Sequence, residues 1–194
     1  MHKWILGFCF ALLLAGVSMA QTCQTIIEHS AEDEINPWRT INDGVMGGLS
    51  DGGSFLQEDH LSFVGNTNTN GGGFSSVRLP VEPGLMADTD HLKLWMRPDE
   101  RRYSVTMRTD VTYRGRPVAF RADVTSGAPG EWGEGILDYS DLKASIFGRP
   151  VFGAEFDPAS VREVSLIIYD GLDGPFRMDL KRIEACSGMN EAVS

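Results

Sequence analysis

Basic side chains recur at alternate positions along several apolar segments of the sequence. In segments 92–96 and 118–124, for example, apolar and polar residues alternate, so an extended chain places them on opposite faces. Arginine next to an aromatic ring is a common composition at interfaces and also suits carboxylate-bearing ligands. We therefore predict a basic surface that binds an acidic partner or an anionic glycan; a solvated sheet face without a ligand is the simpler interpretation. The residues of this predicted surface are Arg78, Lys93, Trp95, Arg97, Arg108 and Arg121.

Motifs for catalysis or metal binding are not visible in the sequence. It contains no Gly-x-Ser-x-Gly, no His-Glu-x-x-His and no dinucleotide fingerprint. His29, His60 and His91 are widely separated, whereas zinc ligands usually cluster. We therefore predict no catalytic residue, no metal and no cofactor. The one alternative is a structural calcium ion with ligands from Asn42, Asp43, Asp51 or Asp179. The turn preferences of Asn and Asp are a simpler reason for the first two.

Short segments with period-two alternation, separated by Gly, Pro, Asn and Asp, dominate the chain and predict β-strands. Their length and spacing are typical of a jelly-roll β-sandwich, so we predict an all-β fold with little helix. The predicted strands are 74–79, 91–97, 103–110, 118–124, 164–169 and 176–180. Ile183 breaks the apolar phase of the last strand, which predicts a bulge near Lys181 or Arg182. Leu142 and Ile146, four residues apart, favour one short helical turn within residues 138–147.

The N-terminal segment has the order of a secretory signal peptide. A basic start at Lys3 precedes an apolar run over residues 5–17, and small residues flank Met19 before Gln21. The run is too short to span a bilayer comfortably, so an uncleaved anchor is the less favoured alternative. We predict a signal peptide at residues 1–20, one domain at 21–188 and a flexible tail at 189–194. The predicted location is then periplasmic or secreted.

Cysteine use agrees with export. Cys23 and Cys186 remain after removal of the signal, one near each end of the domain. An even pair in an oxidising compartment is usually bridged, so we predict a Cys23–Cys186 disulfide that makes the first and last segments neighbours. Free redox-active thiols are the alternative, but the sequence has no Cys-x-x-Cys.

Two glycine-rich segments, 42–50 and 70–78, interrupt the predicted strands. Glycine serves where the backbone needs positive φ or where chains approach closely, and Asn42-Asp43-Gly44 is typical of a turn. Met46 between glycines is unusual, because it places a flexible apolar side chain against a tight backbone. Taken alone, both segments are tight connections or ligand loops; a phosphate-binding loop is not supported, because no Lys-Ser/Thr follows Gly73.

The first glycine-rich segment and a preceding tryptophan resemble the signature of the complex I intermediate-associated protein 30 family. The resemblance continues through 70–78, 99–103 and 174–179, and so covers nearly all of the predicted domain. It implies a fold similar to galactose-binding-like jelly rolls and a non-enzymatic role, since mitochondrial members act as chaperones for respiratory complex I assembly. The predicted export departs from that setting, so the resemblance implies the fold more strongly than the complex I role. The residues that carry the first string are Trp38, Asn42, Asp43, Gly44, Val45, Met46, Gly47, Gly48 and Ser50.

Three classes of function remain for comparison. The first is a protein-interaction or assembly module, favoured by the resemblance, and the second is a carbohydrate-binding module of jelly-roll type. The third, a hydrolase, has little support because no nucleophile–base arrangement is visible. The formal net charge of −10 argues against nucleic acid as a partner, and beyond the signal no segment is apolar enough to span a membrane. Rings that could stack on a sugar are Trp38, Trp95, Tyr103, Trp132 and Tyr139; an exposed coplanar pair would favour sugar, and buried rings would favour packing.

Overall fold

The computed structural model describes residues 21–188, which form two antiparallel β-sheets packed face to face. This architecture confirms the predicted all-β sandwich. The predicted signal peptide (1–20) and the predicted tail (189–194) lie outside the described residues. No helix within residues 21–188 combines the length and the apolar character that crossing a membrane requires.

Strands and short 3₁₀ turns account for the regular structure. The 3₁₀ turns are Asp43–Met46, Tyr139–Asp141 and Pro158–Ser160. The strands are β1 (Thr22–Glu28), β2 (Arg39–Asn42), β3 (Asp51–Leu56), β4 (Leu61–Thr67), β5 (Ser75–Pro80), β6 (His91–Pro98), β7 (Tyr103–Tyr113), β8 (Arg116–Asp123), β9 (Gly133–Asp138), β10 (Lys143–Ile146), β11 (Arg149–Pro150), β12 (Glu163–Ile168) and β13 (Gly174–Ser187).

The strands divide into a six-stranded first sheet and a seven-stranded second sheet. The first sheet has the order β3-β4-β13-β6-β9, and β1 pairs with the C-terminal part of β13. The second sheet has the order β11-β10-β8-β7-β12-β5-β2. Consecutive strands therefore lie in different sheets at several points of the chain, as in a jelly roll.

The core lies between the sheets and is made by the apolar rows that alternation predicts. Phe63 on β4 is fully buried, and its ring centroid lies 4.9 Å from that of Phe176 and 6.5 Å from that of Tyr103. Tyr103 belongs to the second sheet, so these edge-on contacts join the two layers. The inward rows leave the alternate residues of each strand on the two outer faces.

The two ends of the described chain meet in the first sheet. Cys23 on β1 lies directly opposite Cys186 on β13, and their sulfur atoms are bonded at 2.04 Å. The predicted disulfide is therefore confirmed, with 163 residues of sequence separation. In the chain-entropy model a loop of this length stabilises the fold by about 5 kcal/mol. The predicted bulge is confirmed as well, because the register between β13 and β6 shifts between Leu180 and Arg182.

Candidate functional site

The six residues of the predicted basic surface do not lie on one surface. Arg78, Arg108 and Arg121 lie on β5, β7 and β8 of the second sheet. The other three, Lys93, Trp95 and Arg97, lie on β6 of the first sheet. The prediction of a single surface is therefore wrong. Alternation specifies which residues point outward, but it does not specify which strands are neighbours.

On the first sheet, the basic residues are neutralised by the protein itself. The carboxylate of the buried Asp179 accepts hydrogen bonds from Arg97 Nε at 3.0 Å and Nη2 at 2.6 Å, from Arg177 Nε at 3.1 Å and from Ser62 Oγ at 2.7 Å. Burial raises the pKa of Asp179, but these donors outweigh it and hold the pKa below its ordinary value. The Arg97 guanidinium also lies 5.0 Å from the Trp132 ring centroid. Both basic residues of this half are thus paired within the protein, Arg97 with Asp179 and Lys93 with Glu134 at 3.4 Å.

The second sheet carries a groove of about 540 Å³ on its outer face. Its floor holds the three predicted arginines together with hydroxyl groups of Ser76, Thr106 and Ser165. Apolar side chains of the strands and of the surrounding loops line the rest. The apolar lining residues are Ile41, Val45, Met46, Phe74, Ala119, Phe147, Ile167 and Tyr169.

One carboxylate, that of Glu163, pairs with two arginines of the groove and with the neighbouring Arg39. Arg108 Nη1 lies 2.6 Å and Arg78 Nη1 3.6 Å from Glu163 Oε1, and Arg39 Nη2 lies 3.3 Å from Oε2. Arg78 Nε is buried and has no hydrogen-bond partner among the described residues. Positive charge therefore exceeds negative charge at this end of the groove.

Arg121 is the arginine of the groove that has no carboxylate partner among the described residues. Its Nε donates to Thr106 Oγ1 at 3.0 Å, and its guanidinium carbon lies 5.7 Å from the Tyr169 ring centroid. Within residues 21–188 it forms no ion pair with a carboxylate. Its two terminal nitrogens are therefore available for an added carboxylate, which they match in geometry.

Burial and mutual repulsion both disfavour this group of charges. Burial lowers the pKa of Arg78, Arg108 lowers it further, and Glu163 opposes the change. Burial, followed by Arg108, also lowers the pKa of Arg121. Arginine nevertheless stays protonated, so the groove holds a partly desolvated excess of positive charge that an anionic ligand would stabilise.

The two glycine-rich segments meet around one carboxylate, that of Asp43. This side chain is fully buried and accepts hydrogen bonds from Ser50 N at 2.9 Å, Ser50 Oγ at 2.6 Å, Gly73 N at 2.6 Å and Phe74 N at 3.3 Å. Burial raises the pKa of Asp43, but the hydrogen bonds outweigh it and hold the pKa below its ordinary value. A Cβ at Gly48 would lie 2.3 Å from Asp43 Cγ, and one at Gly72 2.3 Å from Oδ2. Both glycines are therefore required by the close approach of this carboxylate.

The remaining motif residues hold this loop or face the groove. Asn42 Nδ2 donates to the Gly52 carbonyl at 3.0 Å, and the buried Trp38 donates from Nε1 to His29 Nε2 at 3.2 Å. Val45 and Met46, in contrast, are 72% and 64% exposed and line the groove. The motif thus builds a rigid support that presents two apolar side chains beside the arginines.

The structure also bears on the proposed calcium ligands and on the rings considered for sugar stacking. Asp43 and Asp179, proposed as calcium ligands, are occupied by protein donors, and residues 21–188 contain no group of three His, Cys, Asp or Glu side chains arranged for a metal. Of the rings considered for sugar stacking, Trp38 and Tyr103 are buried, and none of the five lines the groove.

Sequence reasoning missed Phe147 and Tyr169, which line the groove, and Glu163, which pairs with two of its arginines. Phe147 is 82% exposed and precedes Gly148 at the turn between β10 and β11. An aromatic residue next to a turn glycine is the signal that would have pointed to it. Glu163 and Tyr169 carried no comparable signal, because they simply flank an apolar strand.

Several solved structures share this fold. A family 11 carbohydrate-binding module of the cellulosomal cellulase Lic26A-Cel5E of Clostridium thermocellum aligns with a TM-score of 0.63 and 8% identity, covering 90% of this chain and 100% of that one. A family 11 module from Clostridium thermocellum in complex with a β-1,3-1,4-mixed-linked tetrasaccharide aligns at 0.59 and 7% identity, covering 84% and 94%. A family 30 carbohydrate-binding module aligns at 0.51 and 14% identity, covering 86% and 99%. At such low identity these similarities establish the fold alone.

A match to a family model identifies the chain more directly. No curated protein matches it. Residues 27–180, well over half of the chain, match the model named complex I intermediate-associated protein 30, and this range includes both glycine-rich segments and all three arginines of the groove. The chain therefore belongs to the complex I intermediate-associated protein 30 family.

Proposed function

We propose that this protein is a non-catalytic binding module that holds an acidic segment of a partner protein in the groove of the second sheet. The observation that carries the proposal is the uncompensated arginine cluster beside exposed apolar side chains of the motif loop. Arg78 and Arg108 share one carboxylate, that of Glu163, and Arg121 has no carboxylate partner among the described residues. A partner carboxylate would give Arg121 the kind of ion pair that Asp179 gives Arg97 on the opposite face.

The apolar lining favours a protein segment as the ligand. Val45, Met46 and Ile41 are aliphatic and offer no flat surface for a sugar ring, whereas methionine adapts readily to different apolar side chains. Arginine is one of the residue types that most often dominate protein interfaces. An acidic segment with apolar side chains therefore suits both parts of the groove.

A role in assembly outside the cytoplasm is the corresponding cellular proposal. The family description concerns an intermediate of complex I, which supports an assembly role. The Cys23–Cys186 disulfide supports an oxidising compartment, as in the periplasm or outside the cell. The predicted signal peptide at residues 1–20 would deliver the domain there.

An anionic glycan is the second candidate ligand. Its support is the fold shared with carbohydrate-binding modules, one of them in complex with a tetrasaccharide. Tyr169 and Phe147 would then provide the stacking rings, and the arginines would bind uronate groups.

Binding measurements decide between these ligands. A labelled peptide of glutamate and leucine, its glutamine counterpart, a uronate oligosaccharide and a neutral β-glucan oligosaccharide are titrated into the purified protein. We expect the acidic peptide to bind, with affinity that falls as salt rises. The double substitution Arg78→Glu and Arg121→Glu should abolish binding, and Lys93→Glu on the first sheet should not. Retained binding in the double variant would contradict the proposed site.

A further inference from the structure

Phe147 occupies a backbone conformation that its residue type disfavours. Ile146 of β10 pairs with Arg149 of β11, so Phe147 and Gly148 form a two-residue hairpin turn. Both have positive φ, +49° and +75°, as a type I′ turn requires. Asn-Gly is the preferred sequence for this turn, and a bulky residue at positive φ is a genuine outlier.

Within residues 21–188, the contacts of the Phe147 ring offset little of this local cost. The Phe147 ring is 82% exposed, so it contributes little to the core, and its described ring contact is the Arg116 guanidinium at 5.7 Å. Natural proteins keep a strained residue mainly where it serves a function. A strained residue without compensating contacts is therefore expected at a functional position. Phe147 also lines the groove directly, which gives the exposed ring a place to bind.

A row of polar and basic residues crosses the second sheet at right angles to its strands. Strand pairing places each member directly opposite the next: Arg39 with Arg78, Arg78 with Ser165, Ser165 with Thr106, Thr106 with Arg121, and Arg121 with Lys143. Directly opposed residues share one face of a sheet. The row, defined by Arg39, Arg78, Ser165, Thr106, Arg121 and Lys143, therefore runs along the outer face with basic residues toward both ends.

The dimensions of this basic row fix the size of a ligand. Neighbouring strands are about 4.8 Å apart, so the five intervals from β2 to β10 span about 24 Å. An extended peptide rises about 3.4 Å per residue, so about seven residues cover the row. Arg78 and Arg121 are three intervals apart, about 14 Å, which matches acidic side chains about four residues apart.

The two loops that border the row come from opposite sides of the sheet. Val45 and Met46 follow β2, whereas Phe147 follows β10. A segment that crossed the strands would therefore meet the motif loop at one end and the Phe147 turn at the other. A segment that paired with an edge strand would meet only one of them.

We propose that the partner segment crosses the strands along the basic row, as about seven extended residues whose acidic side chains lie about four residues apart. Phe147 anchors an apolar side chain of that segment at the β10 end. This inference rests on the proposed function, since it requires an acidic protein ligand in the groove.

The substitution Phe147→Asn tests the anchor, because it installs the preferred Asn-Gly turn while removing the ring. We expect an unchanged or higher melting temperature and about tenfold weaker binding of the glutamate–leucine peptide. The matched control is Phe152→Asn, which removes a ring that is 90% exposed and does not line the groove. The control should bind as the wild type does.

Two peptides of equal composition test the direction of the segment. One carries its two glutamates about four residues apart and the other carries them adjacent. Tighter binding of the spaced peptide supports the crossing orientation, and equal binding overturns it. If Phe147→Asn binds normally while Arg121→Glu does not, the anchor is wrong and the proposed function stands. If the wild type binds the uronate oligosaccharide but no peptide, both the partner class and this inference are overturned.

Discussion

The two outer faces of the sandwich use arginine in opposite ways. On the first sheet, Arg97 and Arg177 converge on the buried carboxylate of Asp179, which accepts from both. On the second sheet, Arg78 and Arg121 are partly buried, and the carboxylate nearest to their row is shared with other arginines. The residue types are similar, but both of these arginines on the first face pair with a carboxylate, whereas Arg121 on the second face pairs with none among the described residues.

A second buried carboxylate explains the difference. The motif of the second face also contains a fully buried aspartate, Asp43, but its oxygens accept from backbone N–H groups and Ser50. That carboxylate stabilises the loop and, within residues 21–188, forms no ion pair with the arginines of the groove. An outward arginine therefore indicates a binding site only where no carboxylate of the protein already pairs with it.

Removal of Asp179 should have the largest effect, because it breaks the network of the first face. Asp179→Ala leaves Arg97 and Arg177 without their shared anion, and we expect a loss of about 3 kcal/mol in the free energy of unfolding. Urea denaturation measures this loss. Glu134→Ala, which removes an exposed partner of Lys93, should change stability by less than about 0.5 kcal/mol. Equal effects of the two substitutions would show that the network is an ordinary surface feature.

A methyl group at Gly48 should disturb the support of the second face. In Gly48→Ala the new Cβ meets the Asp43 carboxylate at 2.3 Å, and we expect a loss of about 2 kcal/mol together with weaker binding in the groove. Gly44→Ala is the control within the same motif, since a Cβ there meets nothing within 4 Å. If the two variants have the same melting temperature, Asp43 does not organise the loop as described.

The alternation of apolar and polar residues predicted more of the strands than of the candidate site. Strands with a strict apolar rhythm, such as β6, β7 and β8, were predicted near their observed positions. The region around β10 was assigned a short helical turn, and the structure has a 3₁₀ turn at Tyr139–Asp141 followed by the strand Lys143–Ile146. Pairing with β8 decides this strand, and four residues are too few to show a period.

The same limit applies to the candidate site. Outward positions of Arg78, Arg108 and Arg121 followed from alternation, but their separation from Arg97 depends on strand order, which alternation does not contain. Met46 was noted as unusual between glycines, yet its place beside the arginines required the fold. Local sequence therefore identified the components of the groove and could not assemble them.

Replacing Arg121 should raise the stability of the protein and abolish binding in the groove. Arg121→Met removes a partly desolvated cation that has no carboxylate partner among the described residues, so we expect a gain of about 0.5–1 kcal/mol in unfolding free energy and loss of acidic-peptide binding. On the first face, Arg182 pairs with Glu28 and Glu184, so Arg182→Met should give no such gain and should leave binding unchanged. Destabilisation by Arg121→Met would mean that the groove is already compensated.

The smallest expected effect is a pH dependence of stability caused by His29. This side chain accepts a hydrogen bond from Trp38, the first residue of the family motif. Burial lowers the pKa of His29 against the opposing hydrogen bond to Asp33, so the neutral ring accepts from Trp38 Nε1. As pH falls below about 6.5, the unfolded chain takes up a proton that the folded chain resists, and stability therefore falls until the folded pKa is reached. The buried Asp43 and Asp179 have lowered pKa values, so their contributions are lost only at more acidic pH. Denaturation between pH 7 and pH 5, at about half-unit steps, measures the slope in the wild type and in His29→Gln. A slope that survives the substitution would assign the titration to another group and leave the Trp38 contact without a role in it.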